Sequence, residues 1–194
     1  MSKVFAQITM SLDGFVAGWH DSPENPLGDR GLDLHRWILA PESQKGVFDG
    51  QVATEMFANT GAILLGRRMA DVGIPNWGED GAFGLPCFIV THRPTPTVRK
   101  TKTTFTYVTD GIERALTLAL AAAQGKDVCV AGGGSLVRQC LTEGLVDELR
   151  LSIAPILLGS GRALFQGLTV NGALTPVRVL ESPLATHVTY RINY

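Results

Sequence analysis

The sequence VCVAGGGSLVRQCL (residues 128–141) joins a short apolar strand, three consecutive glycines and a helical pattern. A strand that becomes a helix at glycines leaves free backbone N–H groups at the helix N-terminus, where the partial positive charge attracts a phosphate. The same glycines also permit a sharp turn that binds nothing. The spacing does not fit G-x-G-x-x-G, because Val137 stands at the third place, and no Gly-Lys-Ser/Thr follows as in a P-loop. Spacing alone leaves both interpretations open.

Strand patterns and helix patterns alternate around this stretch through most of the chain. Alternating strands and helices are typical of an α/β fold, and consecutive alternating strands at the C-terminal end favour an antiparallel hairpin. We predict a three-layer α/β sandwich with a mainly parallel central sheet and an antiparallel C-terminal hairpin, formed by residues 1–194 as one domain. The clearest predicted strands are residues 4–10, 62–66, 87–91, 104–109, 127–131 and 146–157. Helices are predicted at residues 32–39, 51–59, 67–72 and 111–124, the last capped by Asp110.

The composition excludes several classes of function. The 194 residues are 45% hydrophobic and 18% charged, with a formal net charge of -1. This balance gives no electrostatic attraction to nucleic acid or to an anionic membrane. The three cysteines have no metal-ligand spacing and form no disulfide framework, which favours a reducing compartment. With no signal peptide and no apolar run long enough to span a bilayer, we expect a cytoplasmic protein without a metal site.

Four stretches taken together resemble a known family. They are ITMSLDGFVAG (8–18), AILLGRRM (62–69), FIVTHRP (88–94) and VAGGGSLVRQCLTEGLVDELRLSIAPILLGSG (130–161). Their motifs and order resemble the dihydrofolate-reductase-like family, in the branch related to the reductase domain of bacterial riboflavin biosynthesis. The likeness runs from Lys3 to the last predicted hairpin, and the order of the motifs is more specific than any one of them.

The resemblance implies that NADPH binds along the carboxyl ends of the central strands. The arginines after Gly66 begin a helix, and guanidinium groups suit bidentate contact with phosphate, although an arginine pair at a helix start can also be a solvated surface. The loop 91–93 corresponds to the one that contacts the adenosine ribose and its 2′-phosphate, which favours NADPH over NADH. The implied cofactor-binding residues are Thr9, Gly66, Arg67, Arg68, Thr91, His92, Arg93, Gly132, Gly133, Gly134, Ser135 and Leu136.

The resemblance also points to residues on the substrate side. Asp13 matches an aspartate associated with the substrate in the riboflavin branch, although Asp-Gly also forms turns without any further role. Asp33 is a second catalytic candidate, because dihydrofolate reductases carry a pterin-binding acid on their first helix. Gly159 and Gly161 border the implied substrate pocket. The proton that must accompany hydride transfer would come from Asp13, Asp33 or water.

The implied function is an NADPH-dependent reductase that transfers hydride to a small heterocyclic or ribosylamino-pyrimidine substrate. Two alternatives are a dihydrofolate or pterin reductase, from whose pattern the loop 19–31 departs, and a non-catalytic regulatory protein that binds NADPH. The resemblance implies a homodimer, for which the apolar strand 149–158 is a candidate interface.

Overall fold

The computed structural model describes residues 2–170 and 172–194. The strands within them are β1 (Val4–Ser11), β2 (Phe15–Ala17), β3 (Thr60–Gly66), β4 (Pro86–Val90), β5 (Val98–Arg99), β6 (Thr104–Val108), β7 (Asp127–Gly132), β8 (Glu148–Ala154), β9 (Arg162–Ala163), β10 (Ala173–Glu181) and β11 (Thr186–Asn193). The α-helices are α1 (Gly31–Leu34), α2 (Arg36–Leu39), α3 (Val47–Glu55), α4 (Arg67–Gly73), α5 (Ile112–Ala123) and α6 (Gly134–Thr142).

The main sheet confirms the predicted fold class. Its strand order is β10-β11-β8-β1-β7-β3-β4-β6-β5. The six strands from β8 to β6 are parallel to their neighbours, and the hairpin β10–β11 adds to β8 in the antiparallel sense. The short β5 pairs antiparallel with β6 at the other edge. A separate pair, β2–β9, lies beside the end of β1.

Two apolar layers cover the parallel sheet because successive side chains of a strand point to opposite faces. Ala6 and Ile8 of β1 pack with buried side chains of α5 and α6 on one face. Phe5 of β1 and Cys129 of β7 pack on the other face with α4 and with aromatic side chains of the segment that follows it. All eight residues of β1 are buried. Helical layers on both faces are what the alternating sequence pattern predicts.

Two predicted helices have different limits. The pattern over 32–39 forms the separate helices α1 and α2, because His35 leaves the helical region and both Leu34 and Trp37 point into the core. The helix predicted at 51–59 begins earlier, at Val47, and ends at Glu55. Its start is fixed by the Asp49 carboxylate, which accepts a hydrogen bond of 2.8 Å from the N–H of Gly46.

The prediction that Asp110 caps the helix at 111–124 is wrong. Gly111 is the N-cap residue of this helix, α5, and no side-chain hydrogen bond caps it. Gly111 has a φ of 91°, a conformation that favours glycine. In the part of the chain that is described, no helix is long and apolar enough to cross a bilayer.

The strand predicted at 146–157, part of the candidate interface, is shorter than expected, and neither of its edges is open for pairing with a second copy. It forms β8, which ends at Ala154, directly before a proline that cannot donate to a ladder. Since β8 lies between β1 and β11, both of its edges are paired within the chain. The open edge on that side of the sheet is β10.

Candidate functional site

The carboxyl ends of the parallel strands bring two predicted glycine turns into contact. Gly66 ends β3 and precedes α4, while Gly133 precedes α6. A Cβ atom on Gly66 would lie 3.2 Å from the backbone N of Gly133, so the two turns meet with little room for a side chain. α4 and α6 pack on opposite faces of the sheet, and the contact brings the starts of both helices to the same edge of the sheet.

The triple glycine has a distinct role at each position. Gly132 has a φ of 121° and is joined to Gly133 by a cis peptide bond. A Cβ atom on Gly134 would approach a methyl group of Val16 at 3.1 Å, whereas a Cβ on Gly133 would meet nothing within 4 Å. The turn is therefore closed by β2 at Gly134 and open at Gly133. This open side is where a ligand can approach the backbone.

The two residues that follow the glycines differ. Ser135 is exposed in the first turn of α6, where its hydroxyl can reach a ligand. Leu136 is 4% exposed and packs in the core, and its N–H already donates to the carbonyl of Gly133 at 3.0 Å. The structure thus gives Leu136 a packing position that the family resemblance does not predict.

Arg67 lies in a polar cluster at the ends of β3, β4 and β6. Its Nε donates to Asp71 Oδ1 at 2.6 Å and its Nη1 donates to Thr95 Oγ1 at 2.7 Å. The guanidinium carbon lies 5.2 Å from the centre of the Tyr107 ring. With only 22% of its side chain exposed, Arg67 is held in one orientation at the carboxyl ends of these strands.

The loop after β4 adds a second cation to this cluster. Arg93 donates to Asp71 Oδ2 at 3.2 Å, so one carboxylate holds both arginines. The Thr91 hydroxyl accepts the N–H of Arg93 at 3.1 Å and is buried, so it stabilises the turn, while His92 is exposed. Asp71 was not identified in the sequence analysis. Its position four residues after Arg67 in a helix pattern is the signal that indicates an ion pair between the two.

Arg68 makes a different contact from the one its position suggested. It binds Asp21, which is buried in the loop after β2, and Arg162 of β9 binds the same carboxylate. Burial alone would raise the pKa of Asp21, but hydrogen bonds from the two guanidinium groups outweigh it and lower the pKa below its ordinary value. Asp21 and Arg162 lie 141 residues apart, and no local pattern joins them.

Asp13 connects the end of β1 to the loop that contains Gly159. Its Oδ1 accepts hydrogen bonds from Ser11 Oγ at 2.5 Å and from the N–H of Leu158 at 3.1 Å, and its Oδ2 accepts the N–H of Gly159 at 2.7 Å. The Ser11 hydrogen bond is the main cause that lowers the pKa of Asp13, helped by the two backbone donors. The carboxylate is therefore ionised near neutral pH, which disfavours Asp13 as a proton donor.

Gly161 closes the same loop against β2. A Cβ atom there would lie 2.3 Å from the carbonyl oxygen of Ala17, and its φ is 141°, so only glycine fits. Together Asp13 and Gly161 fix the loop 155–161 beside the end of β1. The residues that the resemblance placed on the substrate side are thus brought together in space.

We expect Asp13→Asn to loosen the loop 155–161 and to remove the pH dependence that Asp13 gives to the stability of this loop. Because the folded pKa of Asp13 is lowered, its stabilising contribution is present above about pH 4 and is lost as the pH falls through the folded pKa. Hydrogen exchange of the amides of Leu158 and Gly159 should therefore be faster in the variant at pH 7. Equal exchange rates in the two proteins at pH 7 would contradict the tether.

Thr9 lies in the interior beneath the site, and Asp33 lies at the surface. Thr9 is buried, and its hydroxyl accepts a hydrogen bond of 3.1 Å from the indole Nε1 of Trp37. Asp33 has half its side chain exposed and lies 3.4 Å from Arg30. Arg30 in turn donates to the carbonyl of Leu157 at 3.1 Å, so Asp33 belongs to the outer rim of the loop that Asp13 holds.

A buried polar network lies deeper on the same face of the sheet. Ser152 and His187 are cross-strand neighbours in β8 and β11, with Oγ and Nδ1 3.0 Å apart, and His187 Nε2 lies 3.0 Å from Asp49 Oδ1. The Trp37 ring meets His187 edge-on at 4.9 Å. A cavity of about 440 Å³ opens below the network, towards the amino ends of the strands and away from the glycine turns. Sequence interpretation found neither.

Comparisons with known proteins agree with this architecture. A family model described as the RibD C-terminal domain matches residues 2–187. Two uncharacterised Bacillus subtilis proteins match over short segments: YyaP is 54% identical over 41 residues, 21% of this chain and 22% of its own length, and YwjB is 38% identical over 64 residues, 33% of this chain and 36% of its own. The matched segments thus span a minor part of both relatives.

Solved structures show the same fold at low sequence identity. A Shewanella sp. PV-4 protein provisionally assigned to riboflavin biosynthesis has a TM-score of 0.70 at 20% identity, with 99% of each chain covered. A Thermotoga maritima deaminase/5-amino-6-(5-phosphoribosylamino)uracil reductase has a TM-score of 0.66 at 13% identity, over 98% of this chain and 56% of that one. Enterococcus faecalis dihydrofolate reductase, solved with NADP(H), has a TM-score of 0.56 at 13% identity, over 99% of this chain and 97% of that one.

Proposed function

The chain belongs to the RibD C-terminal domain family, and from this we propose that it is an NADPH-dependent reductase. We propose a small heterocyclic substrate, of the ribosylamino-pyrimidine class named for the Thermotoga maritima protein. NADPH, when bound, supplies the hydride, and the protein supplies binding, orientation and charge.

The contact between Gly66 and Gly133 is the observation that carries this proposal. It joins two helix N-termini at the carboxyl edge of a parallel sheet and leaves the Gly133 side of the turn open. An extended anionic molecule can lie across the open side of such turns, because glycine admits the ligand and the backbone N–H groups meet the phosphates. The first turn of α6, with Ser135, would hold the pyrophosphate.

The cluster around Arg67 supports a phosphomonoester beyond the pyrophosphate. Arg67 and Arg93 share the single carboxylate of Asp71, so the three groups carry a net positive charge. The Thr95 hydroxyl stands beside them. Cations that are already oriented suit a ribose 2′-phosphate, which is the group that distinguishes NADPH from NADH.

The residues on the substrate side act mainly by positioning. Asp13 and Gly161 hold the loop 155–161 against β1 and β2, and this loop would form the substrate side of the site. Because Asp13 is ionised near neutral pH and Asp33 lies half-exposed beside Arg30, we assign the proton that accompanies hydride transfer to water at the rim near Asp33. Thr9 orients the end of β1 through its bond with Trp37.

The geometry disfavours the folate alternative. Of the acids on the α-helices before β3, Asp49 is fully buried and bonded to His187, and Glu55 is exposed and bonded to Arg178, so neither is free to bind a pterin ring. Asp33 lies in a four-residue helix at the surface, beside Arg30. Asp33 and Asp49 do not line an open pocket, and the cavity that Glu55 lines lies away from the glycine turns, so we favour the riboflavin-type substrate class.

Fluorescence titration tests the cofactor directly. We expect NADPH to bind the purified protein at least about tenfold more tightly than NADH, since one charge-assisted phosphate contact contributes about 1.5–3 kcal/mol. ATP, which lacks the 2′-phosphate and the nicotinamide, serves as the control nucleotide. Equal affinity for NADPH and NADH, or no binding of either, would refute the assignment.

Turnover separates a reductase from a regulatory protein that only binds NADPH. Stopped-flow absorbance at the nicotinamide band should show NADPH oxidation with a ribosylamino-pyrimidine phosphate and none with dihydrofolate. Binding of NADPH without oxidation by any member of the substrate class would favour the regulatory alternative.

We further propose that residues 1–194 act as one domain and associate as a homodimer through β10. Leu174, Val177 and Val179 of this edge strand are all more than 40% exposed, and its outer backbone groups have no strand partner in the described chain. Such an edge can extend a sheet across two copies. Light scattering of the protein and of a Val177→Lys variant tests this arrangement.

A further inference from the structure

The carboxylate of Asp21 lies between two arginines that come from different parts of the chain. Arg68 of α4 binds Asp21 Oδ2 at 2.6 Å and also binds its backbone carbonyl. Arg162 of β9 donates to Oδ1 from Nε at 3.0 Å and from Nη2 at 2.5 Å. Each carboxylate oxygen therefore faces a different guanidinium group, and the Asp21 side chain is only 5% exposed.

The two arginines keep donors that Asp21 does not use. About half of each side chain is exposed, 57% for Arg68 and 45% for Arg162. Within residues 2–170 and 172–194, neither Nη1 group has a hydrogen-bond acceptor. Two cations share one carboxylate, so the cluster has a net charge of about +1 and unused donors at its surface.

The cluster borders the open glycine turn. Arg68 is the second residue of α4, two positions after the Gly66 that meets Gly133. Arg162 lies in β9, whose next residue, Ala163, accepts a 2.6 Å hydrogen bond from Arg138 of α6. The cluster thus joins the start of α4 to β9, which is itself bonded to α6.

We propose that Arg68 and Arg162 form a binding site for a phosphate group, and that Asp21 occupies this site while no ligand is bound. The inference rests on the proposed function and deepens it. The geometry already shows that the space between the guanidinium groups accepts an oxyanion with two acceptor oxygens. A phosphate offers one more oxygen and up to one more negative charge, so it binds two guanidinium groups more strongly than a carboxylate does.

Exchange of Asp21 for phosphate would release the loop that carries it. The loop closes on itself through hydrogen bonds of Gly18 with Leu27 and of Trp19 with Asp29. Apart from the contacts of Asp21, two side-chain hydrogen bonds connect the loop to the rest of the described chain. Asn76 donates to the carbonyl of Pro23, and Arg30 donates to the carbonyl of Leu157. Because a bound phosphate and an ionised Asp21 repel each other, the loop must move when the ligand enters.

Calorimetric titration of Asp21→Asn with NADPH, inorganic pyrophosphate and ribose 5-phosphate tests the inference. The asparagine keeps the shape of the side chain but removes the competing charge. We expect at least one of these ligands to bind about tenfold more tightly to the variant than to the wild type, the gain for a site that is otherwise open about a tenth of the time. The matched control is Asp29→Asn, in the same loop, whose exposed carboxylate faces His20 at 2.7 Å and should leave affinity unchanged.

The three probes distinguish the sources of the phosphate. Tighter binding of pyrophosphate and NADPH assigns the site to the dinucleotide, whereas tighter binding of ribose 5-phosphate assigns it to a phosphorylated substrate. If no probe binds more tightly to Asp21→Asn, or if all bind more weakly, Asp21 positions the arginines and does not compete with phosphate, and the inference is wrong. Failure of NADPH to bind either protein while pyrophosphate tightens would remove the proposed function and leave the phosphate site standing.

Hydrogen exchange of the wild-type protein provides a second measurement that needs no variant. Saturating pyrophosphate should increase exchange of the backbone amides in residues 19–30, because the ligand displaces Asp21 from the arginines. Unchanged or slower exchange in that loop would overturn the proposed displacement.

Discussion

Asp49→Ala is expected to lower the free energy of unfolding by about 3 kcal/mol, which is a drop in Tm of about 6–12 °C for a chain of this size. The Asp49 carboxylate is fully buried and accepts from two sides, at 3.0 Å from His187 Nε2 and at 2.8 Å from the N–H of Gly46. Its removal leaves His187 Nε2 without its buried partner and the Gly46 N–H, at the start of α3, without its side-chain acceptor. Thermal and urea unfolding followed by circular dichroism measure the loss.

Two variants show whether the loss arises from the buried network. Ser152→Ala removes only the far end of the network and should cost about 1 kcal/mol. Asp80→Ala removes an exposed carboxylate that pairs with Lys102, and it should cost less than about 1 kcal/mol. If Asp49→Ala is no more destabilising than Asp80→Ala, then His187 finds another partner and the network does not stabilise the fold.

The fold class follows from the sequence because the parallel strands are buried on both faces. Strands such as β1 and β3 are mostly apolar, and glycines mark the turns from β3 into α4 and from β7 into α6. These signals are local, so the order of strands and helices was correct. The limits of the helices were predicted less accurately. Asp49, which fixes the start of α3, lies in a stretch whose sequence is typical of a loop.

The candidate site was only partly predictable, for a physical reason. Glycines and arginines at strand ends can be found from the strands that precede them, and the structure brings Gly66 and Gly133 together. No comparable feature of the sequence identifies the carboxylates that orient the cations. Asp21 meets Arg162 across 141 residues, and Asp49 meets His187 across 138. Pairings of this kind depend on the tertiary fold, which one sequence does not reveal.

Carboxylate pairing also changes the roles expected for residues that the sequence analysis identified. Arg68 was expected to face a ligand, and it instead binds Asp21. Asp13 was expected to act on a substrate, and its oxygens are occupied by Ser11, Leu158 and Gly159. In both cases a partner within the chain already pairs with the charge of the side chain. Arg67 is also paired, with Asp71, but it shares that carboxylate with Arg93 and is held in a fixed orientation at the ends of β3, β4 and β6.

Arg67→Ala is therefore expected to weaken NADPH binding by about 10- to 100-fold while leaving NADH affinity within about twofold. The guanidinium is pre-organised by Asp71 and Thr95 and by the Tyr107 ring 5.2 Å away, so little side-chain entropy is lost when a phosphate binds. Loss of a charge-assisted contact of about 1.5–3 kcal/mol corresponds to this range. Fluorescence titrations of both nucleotides measure it.

Matched substitutions separate a phosphate contact from a general change of charge or stability. Arg67→Lys keeps the charge but loses the bidentate geometry and the planar contact with Tyr107, so its NADPH affinity should fall between those of the wild type and Arg67→Ala. Arg114→Ala removes an exposed arginine of α5 and should bind NADPH like the wild type. Equal weakening of NADPH and NADH by Arg67→Ala would show that Arg67 supports the groove as a whole and does not select the 2′-phosphate.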